Sequence, residues 1–194
     1  AAEALAELGI TLADLSAVER LLLKLTSPVL RSVAELFYVR YEWLAGKDDY
    51  VIQPTLNSWY KSPTLAANKL LEARRNSRQV ELTLYIKTGS DLSMTDDDQE
   101  MRRLPHFIPV IKRSTDLPGG EEFETYELWD EGRWSYWRCR YDIKLCIYFA
   151  HRLDILVTGK QLSPTDYDLL TNGGALPATI FRRNQQGNRW HPTD

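Results

Sequence analysis

The sequence predicts an α+β fold in which helices pack on an antiparallel β-sheet, and three observations carry that expectation. Ser27-Pro28, Ser62-Pro63 and Ser163-Pro164 each offer a capping hydroxyl followed by a proline whose fixed φ suits a first helical turn. Val80, Leu82, Leu84 and Ile86 alternate with Glu81, Thr83 and Tyr85, the period of a strand with one wet face. Aromatic-rich stretches at 123–129 and 134–147 flank Asp130-Glu131-Gly132-Arg133, which reads as two long strands joined by a tight connection.

The remaining elements follow in order along the chain. Ser16-Ala17-Val18-Glu19 has the form of a capping box, and Val18, Leu21, Leu22 and Leu25 recur at amphipathic spacing, predicting a first helix near 12–25. Ser27-Pro28 opens a second helix through Leu30, Val33, Leu36 and Phe37 to about Tyr38. Val39, Tyr41 and Trp43 alternate with Arg40 and Glu42, which predicts a half-buried strand over 39–44 ending at the turn Gly46-Lys47-Asp48-Asp49. The helix opened by Ser62-Pro63 should fray near Arg75-Asn76. Residues 87–103 carry Gly89, Ser90, Ser93 and Asp96-Asp97-Asp98 with little to bury, and read as a surface loop; the Asp run lacks the order that wraps calcium. A turn is expected at Pro118-Gly119-Gly120, a further strand over 153–158, and a short helix from Ser163-Pro164 that Gly173-Gly174 ends. The tail from Arg182 is polar.

At 194 residues the chain suits one domain, and 43% hydrophobic with 26% charged residues is ordinary globular usage, which excludes a disordered chain. Lys and Arg number 24 against 27 Asp and Glu, so the formal charge of −3 gives no global field to gather nucleic acid or an anionic membrane; neither is an expected partner. Cys139 and Cys146, on opposite faces of the expected strand, should not form a disulfide. With no signal-peptide core and no apolar run of the roughly 18 residues that a spanning helix requires, the expected location is cytoplasmic.

No Gly-x-Gly-x-x-Gly, P-loop or Gly-x-Ser-x-Gly is present, so dinucleotide, nucleotide and serine-hydrolase chemistry have no local support. His106, His151 and His191 stand outside any zinc frame, and no metal or other cofactor is expected. On the expected 134–147 strand, Trp134, Tyr136, Arg138, Arg140, Asp142 and Lys144 share one face. Two guanidinium groups at i and i+2 could grip a carboxylate or phosphate while the rings stack on a planar ligand. The same face could instead be simply the wet side of the sheet, with Asp142 paired to the arginines, and the acidic balance argues against nucleic-acid binding through it with Arg182, Arg183 and Arg189 nearby.

Three segments resemble the chorismate pyruvate-lyase family: Leu15-Ser16 through Thr26-Ser27-Pro28-Val29 to Glu35-Leu36, Trp137-Arg138-Cys139-Arg140, and Leu162 through Leu176-Pro177-Ala178-Thr179-Ile180-Phe181-Arg182. The spacing from Arg140 to Pro177 is similar to the family's interval from its ligand-binding arginine to a proline turn. The resemblance implies a chorismate-lyase-like sheet closing over a pocket for a small aromatic acid, with Arg140 as the carboxylate anchor, Ala178 supplying a backbone contact and the loop at Ser27 acting as a lid. The family's Asp-Gly-Ser-like loop is Thr26-Ser27-Pro28 here, and its late catalytic glutamate has no counterpart before Asp194, so either a glutamate such as Glu124 or Glu127 replaces it or the pocket does something else. Residues 46–120 would form a long insertion.

The expected function is therefore a biosynthetic enzyme acting on an aromatic or cyclic carboxylic acid by cofactor-free lyase or cyclisation chemistry. Arg140 would be its catalytic residue, with Arg138, Arg140, Tyr136, Ala178 and Ser27 binding substrate. Two other readings stand beside it. One is a ligand-sensing module that binds without turnover; the other is an interaction domain with a vestigial pocket. Oligomeric state is not legible.

Overall fold

A computed structural model describes residues 2–94, 105–117, 120, 122–184 and 189–192. The fold is α+β, built on a mixed, mostly antiparallel sheet of six strands. Its strands are β1 (Gln79–Lys87), β2 (His106–Asp116), β3 (Glu122–Leu128), β4 (Gly132–Arg133), β5 (Leu156–Leu162) and β6 (Arg189–Trp190). They run in the order β3-β2-β1-β5-β6, with β4 pairing the start of β2. β1 is antiparallel to β2, Gln79 facing Ser114 and Ile86 facing Phe107, but parallel to β5, Glu81 facing Leu156. The parallel pair departs from the all-antiparallel expectation. It arises because the chain leaves β3, crosses through a long helix and re-enters beside β1.

Nine α-helices accompany the sheet among the described residues: α1 (Ala2–Ala6), α2 (Leu12–Leu15), α3 (Val18–Lys24), α4 (Ser27–Phe37), α5 (Tyr41–Leu44), α6 (Pro63–Asn76), α7 (Trp137–Arg152), α8 (Pro164–Thr171) and α9 (Pro177–Arg183). All three Ser-Pro pairs open helices. Ser163 Oγ accepts the amide of Asp166, whereas Ser27 is already helical and Thr26 is the cap. The expected helix over 12–25 is two short ones. Its capping box is formed by Thr11 and Asp14 instead of Ser16 and Glu19, so that Ser16 ends α2 and Ala17 starts α3.

Two expected strands are helices. Alternation over 39–44 was too short to separate a strand from one helical turn, and the segment forms α5. The stretch 134–147 is the larger correction. Its buried residues Cys139, Ile143, Cys146, Ile147 and Ala150 fall at i, i+4, i+7, i+8 and i+11, the helical period, and they form the inner face of α7. Cys139 and Cys146 thus share a face, both as buried free thiols; burial pushes their pKa values up to about 11 and about 12.

Helices cover both faces of the sheet, so the side of β1 expected to be wet is buried at Thr83 and Tyr85. On one face Val80, Leu82, Leu84, Ile86, Phe107 and Ile111 meet α6, α7 and the buried rings of Trp59, Trp129 and Trp134. On the other, Tyr85, Ile108, Val110 and Leu128 meet α8, α9 and the segment at Val51-Ile52. Residues 46–120 contain α6, β1 and β2, the middle of the sheet. The Asp96-Asp97-Asp98 run and the turn at Pro118-Gly119 lie outside the described residues. No described helix is long and apolar enough to cross a membrane.

Candidate functional site

The residues expected to bind substrate are dispersed. Tyr136 caps the start of α7 and Arg138 is exposed on its first turn. Both line a shallow recess with Lys61, Trp137, Tyr141 and Asp142. Arg140 does not line it. On a helix, residues two apart point roughly 200° away from each other, so the side-by-side grip expected of Arg138 and Arg140 is lost with the strand. Ala178 sits on α9, against the face of the sheet opposite α7. Ser27, exposed, begins α4. These positions do not meet in one pocket.

A different site is built where β2 and β3 meet the N-terminal helices. Phe107, Ile111 and Arg113 point to one side of β2, and Thr125 and Glu127 to the same side of β3, because Arg113 pairs with Thr125 and Ile111 with Glu127. Two opposite charges are therefore placed on the core-facing side. Glu127 is fully buried and Arg113 is 7% exposed. Arg113 Nη2 donates to Glu127 Oε2. Thr55 Oγ1 donates to Glu127 Oε1 at 2.6 Å, and Lys69 Nζ of α6 lies 3.8 Å from the same oxygen. Thr55 is brought there because its amide bonds the carbonyl of Leu128 and its neighbour Leu56 bridges to Trp129.

The pair is not complete. Arg113 Nη1 is buried with no hydrogen-bond partner, and a buried donor without an acceptor costs about 1–3 kcal/mol. Above the guanidinium lies the ring of Tyr38, 4.9 Å from its carbon to the ring centre. Tyr38 ends α4 in the left-handed region at φ 54°, where a non-glycine residue is strained. Burial raises its pKa despite the neighbouring Arg113.

Beside this arrangement opens a cavity of about 650 Å³, within the range of small-ligand sites. Leu36, Leu117 and Phe123 supply apolar wall, and Phe37 meets Phe123 edge-on at 5.3 Å. Glu7, Glu35, Glu72 and Asp116 supply carboxylates, of which Asp116 is paired to Arg78 at 2.6 Å and Glu72 lies 3.7 Å from Lys69. A second cavity of about 540 Å³ shares Glu35, Tyr38 and Glu72 and adds Arg31, Arg40 and Lys69. Tyr38 thus stands between two openings.

No family model matches the chain, and neither a curated protein nor a solved structure matches it. Among the described residues no group of three or more His, Cys, Asp and Glu side chains could hold a metal ion. Neither cavity beside Tyr38 is lined by histidine or cysteine. Sequence reasoning missed Arg113 and Tyr38. The available signal was a cation in phase with Phe107 and Ile111 on one strand and an anion in phase with Trp129 on the next.

Proposed function

We propose that the recess beside Arg113 binds a small aromatic or cyclic carboxylic acid that also carries an amino or other hydrogen-donating group. The observation that carries this reading is Arg113, which lines a cavity with apolar sides and whose buried Nη1 lacks an acceptor. A ligand carboxylate displacing the Tyr38 ring would give Nη1 its missing partner in a charge-assisted bond. The wall also sets a limit. Its four carboxylates would repel a simple monocarboxylate, so a second, donating group on the ligand must meet Glu35 or Glu72. Phe123 and Leu36 would receive the ring.

The anchor expected at Arg140 thereby moves to Arg113, with the ligand class kept. The lyase or cyclisation chemistry implied by the family resemblance would draw its acid or base from Glu35 or Glu72. The sensing alternative, in which the ligand is bound and not converted, uses the same wall without asking either carboxylate to transfer a proton.

The experiment is a thermal-shift panel of amino- and hydroxy-substituted aromatic acids, chorismate included, read together with mass spectrometry for conversion. Stabilisation by the amino-substituted acids, weakened by Glu35→Gln and by Phe123→Ala, supports the site. Release of pyruvate from chorismate would establish a lyase, whereas stabilisation without conversion would establish a sensor. If no acid shifts the melting temperature, the proposal is wrong.

A further inference from the structure

α7 has two unlike faces. Its inner face is aliphatic and sulfur-bearing and is fully engaged with the sheet and α6. Its outer face presents Trp137, Tyr141 and Tyr148 at 60%, 64% and 59% exposure. At about 100° per residue the three rings fall within roughly 40° of one another, and Lys144 falls in the same stripe. Arg138, Arg152 and His151 are exposed beside it and Arg140 is half-buried. Asp142 is the one carboxylate on the helix, and burial raises its pKa. The Arg138 guanidinium lies 5.2 Å over the Trp137 ring, so charge and π-face are offered together. At the helix start these residues wall the recess of about 530 Å³ that includes Lys61 and Tyr136.

We propose that the outer face of α7 binds single-stranded nucleic acid, with bases stacking on Trp137, Tyr141 and Tyr148 and phosphates meeting Arg138, Arg140, Lys144 and Arg152. Charge complementarity selects this occupant. Rings interleaved with cations suit a polyanion whose bases are unstacked, and a duplex offers no free base faces. A membrane-lying helix buries its aliphatic face in lipid, but that face of α7 is occupied by the sheet. A partner helix would ask for a continuous apolar stripe, which the cations interrupt. The expectation of no nucleic-acid partner follows from the whole-chain charge of −3, whereas α7 itself carries Arg138, Arg140, Lys144 and Arg152 against Asp142 alone. The surface shares no lining residue with the Arg113 recess, so either can fail without the other.

The test is fluorescence anisotropy of a short labelled oligothymidylate and its oligouridylate counterpart, with a duplex of equal length and anionic vesicles as controls. The chain should bind the single strands at low salt, more weakly at physiological salt, and in preference to duplex. Trp137→Ala/Tyr141→Ala and, separately, Arg138→Glu/Lys144→Glu should each weaken binding by about tenfold or more. Because these side chains are exposed, the melting temperature should hold; Tyr148→Ala provides an independent single change should a double variant unfold. Absence of binding at low salt, equal binding of duplex, unaltered binding by both double variants, or binding of vesicles but not oligonucleotides would each overturn the proposal.

Discussion

Two glutamates on neighbouring parts of one sheet are held in different ways. Glu81, on β1, faces α9 and accepts from Thr158 at 2.8 Å and Thr83 at 3.0 Å, with Lys160 at 3.6 Å. Glu127, on β3, faces α6 and accepts from Thr55 and Arg113, with Lys69 close by. Both carboxylates are satisfied. The difference lies in the partners: the Lys160 side chain remains 28% exposed, while Arg113 is buried and keeps one donor without an acceptor. Glu81 therefore reads as a strut between β1 and β5, and Glu127 as half of an arrangement awaiting a third member. A buried charge is informative through what its partner lacks.

Of the two glutamates, Glu127 should be the more costly to remove. Glu127→Ala leaves the Arg113 guanidinium buried and uncompensated and should destabilise the chain by about 3–5 kcal/mol, measured by denaturant unfolding. A loss below about 1 kcal/mol would mean that water already reaches the pair.

Glu81→Gln should cost less, about 1 kcal/mol, because an amide oxygen can still accept from the threonines. Its effect should depend on pH. Burial draws the Glu81 carboxyl upward, but the bonds from Thr158 and Thr83 and the charges of Lys160 and Lys112 outweigh this and hold it below the ordinary 4.5. A lowered native pKa gives stability that is present above the unfolded value and lost as pH falls through the native one. Unfolding curves of the native chain and Glu81→Gln should converge as the pH is lowered below about 4.5, and curves that stay parallel would contradict the assignment. At the small end, Trp137→Ala removes a ring that is mostly in water and should change stability by less than about 0.5 kcal/mol. A larger loss would make the outer face of α7 part of the fold.

How much of this was legible in the sequence follows from which patterns are local. Proline at the start of a helix and the alternation of 80–86 act within a few residues, and α4, α6, α8 and β1 lie where those signals placed them. Residues 134–147 failed because aromatic and branched side chains suggested a strand, while the helical recurrence becomes clear only when Ile147 and Ala150 are counted with Cys139 and Ile143. That error also created the false side-by-side arginines. The parallel pairing of β1 with β5 and the meeting of Arg113 with Glu127 depend on register between strands, which a single chain does not display. The strands bearing the true pair are partly visible, since the pattern over 123–129 predicts a strand and β3 lies there. What was not visible was that its charged residue faces inward.

Whether Arg113 anchors the ligand is decided by calorimetric titration of the best-stabilising amino-substituted acid against the native chain and against Arg113→Met/Glu127→Met. The double change removes both charges together, so it should fold with about native stability or better. If Arg113 anchors the ligand, binding should be strong to the native chain and weaker by a hundredfold or so to the double variant, about 2.7 kcal/mol. Equal affinity for both folded proteins would contradict the account and leave the Arg113–Glu127 pair a structural feature alone.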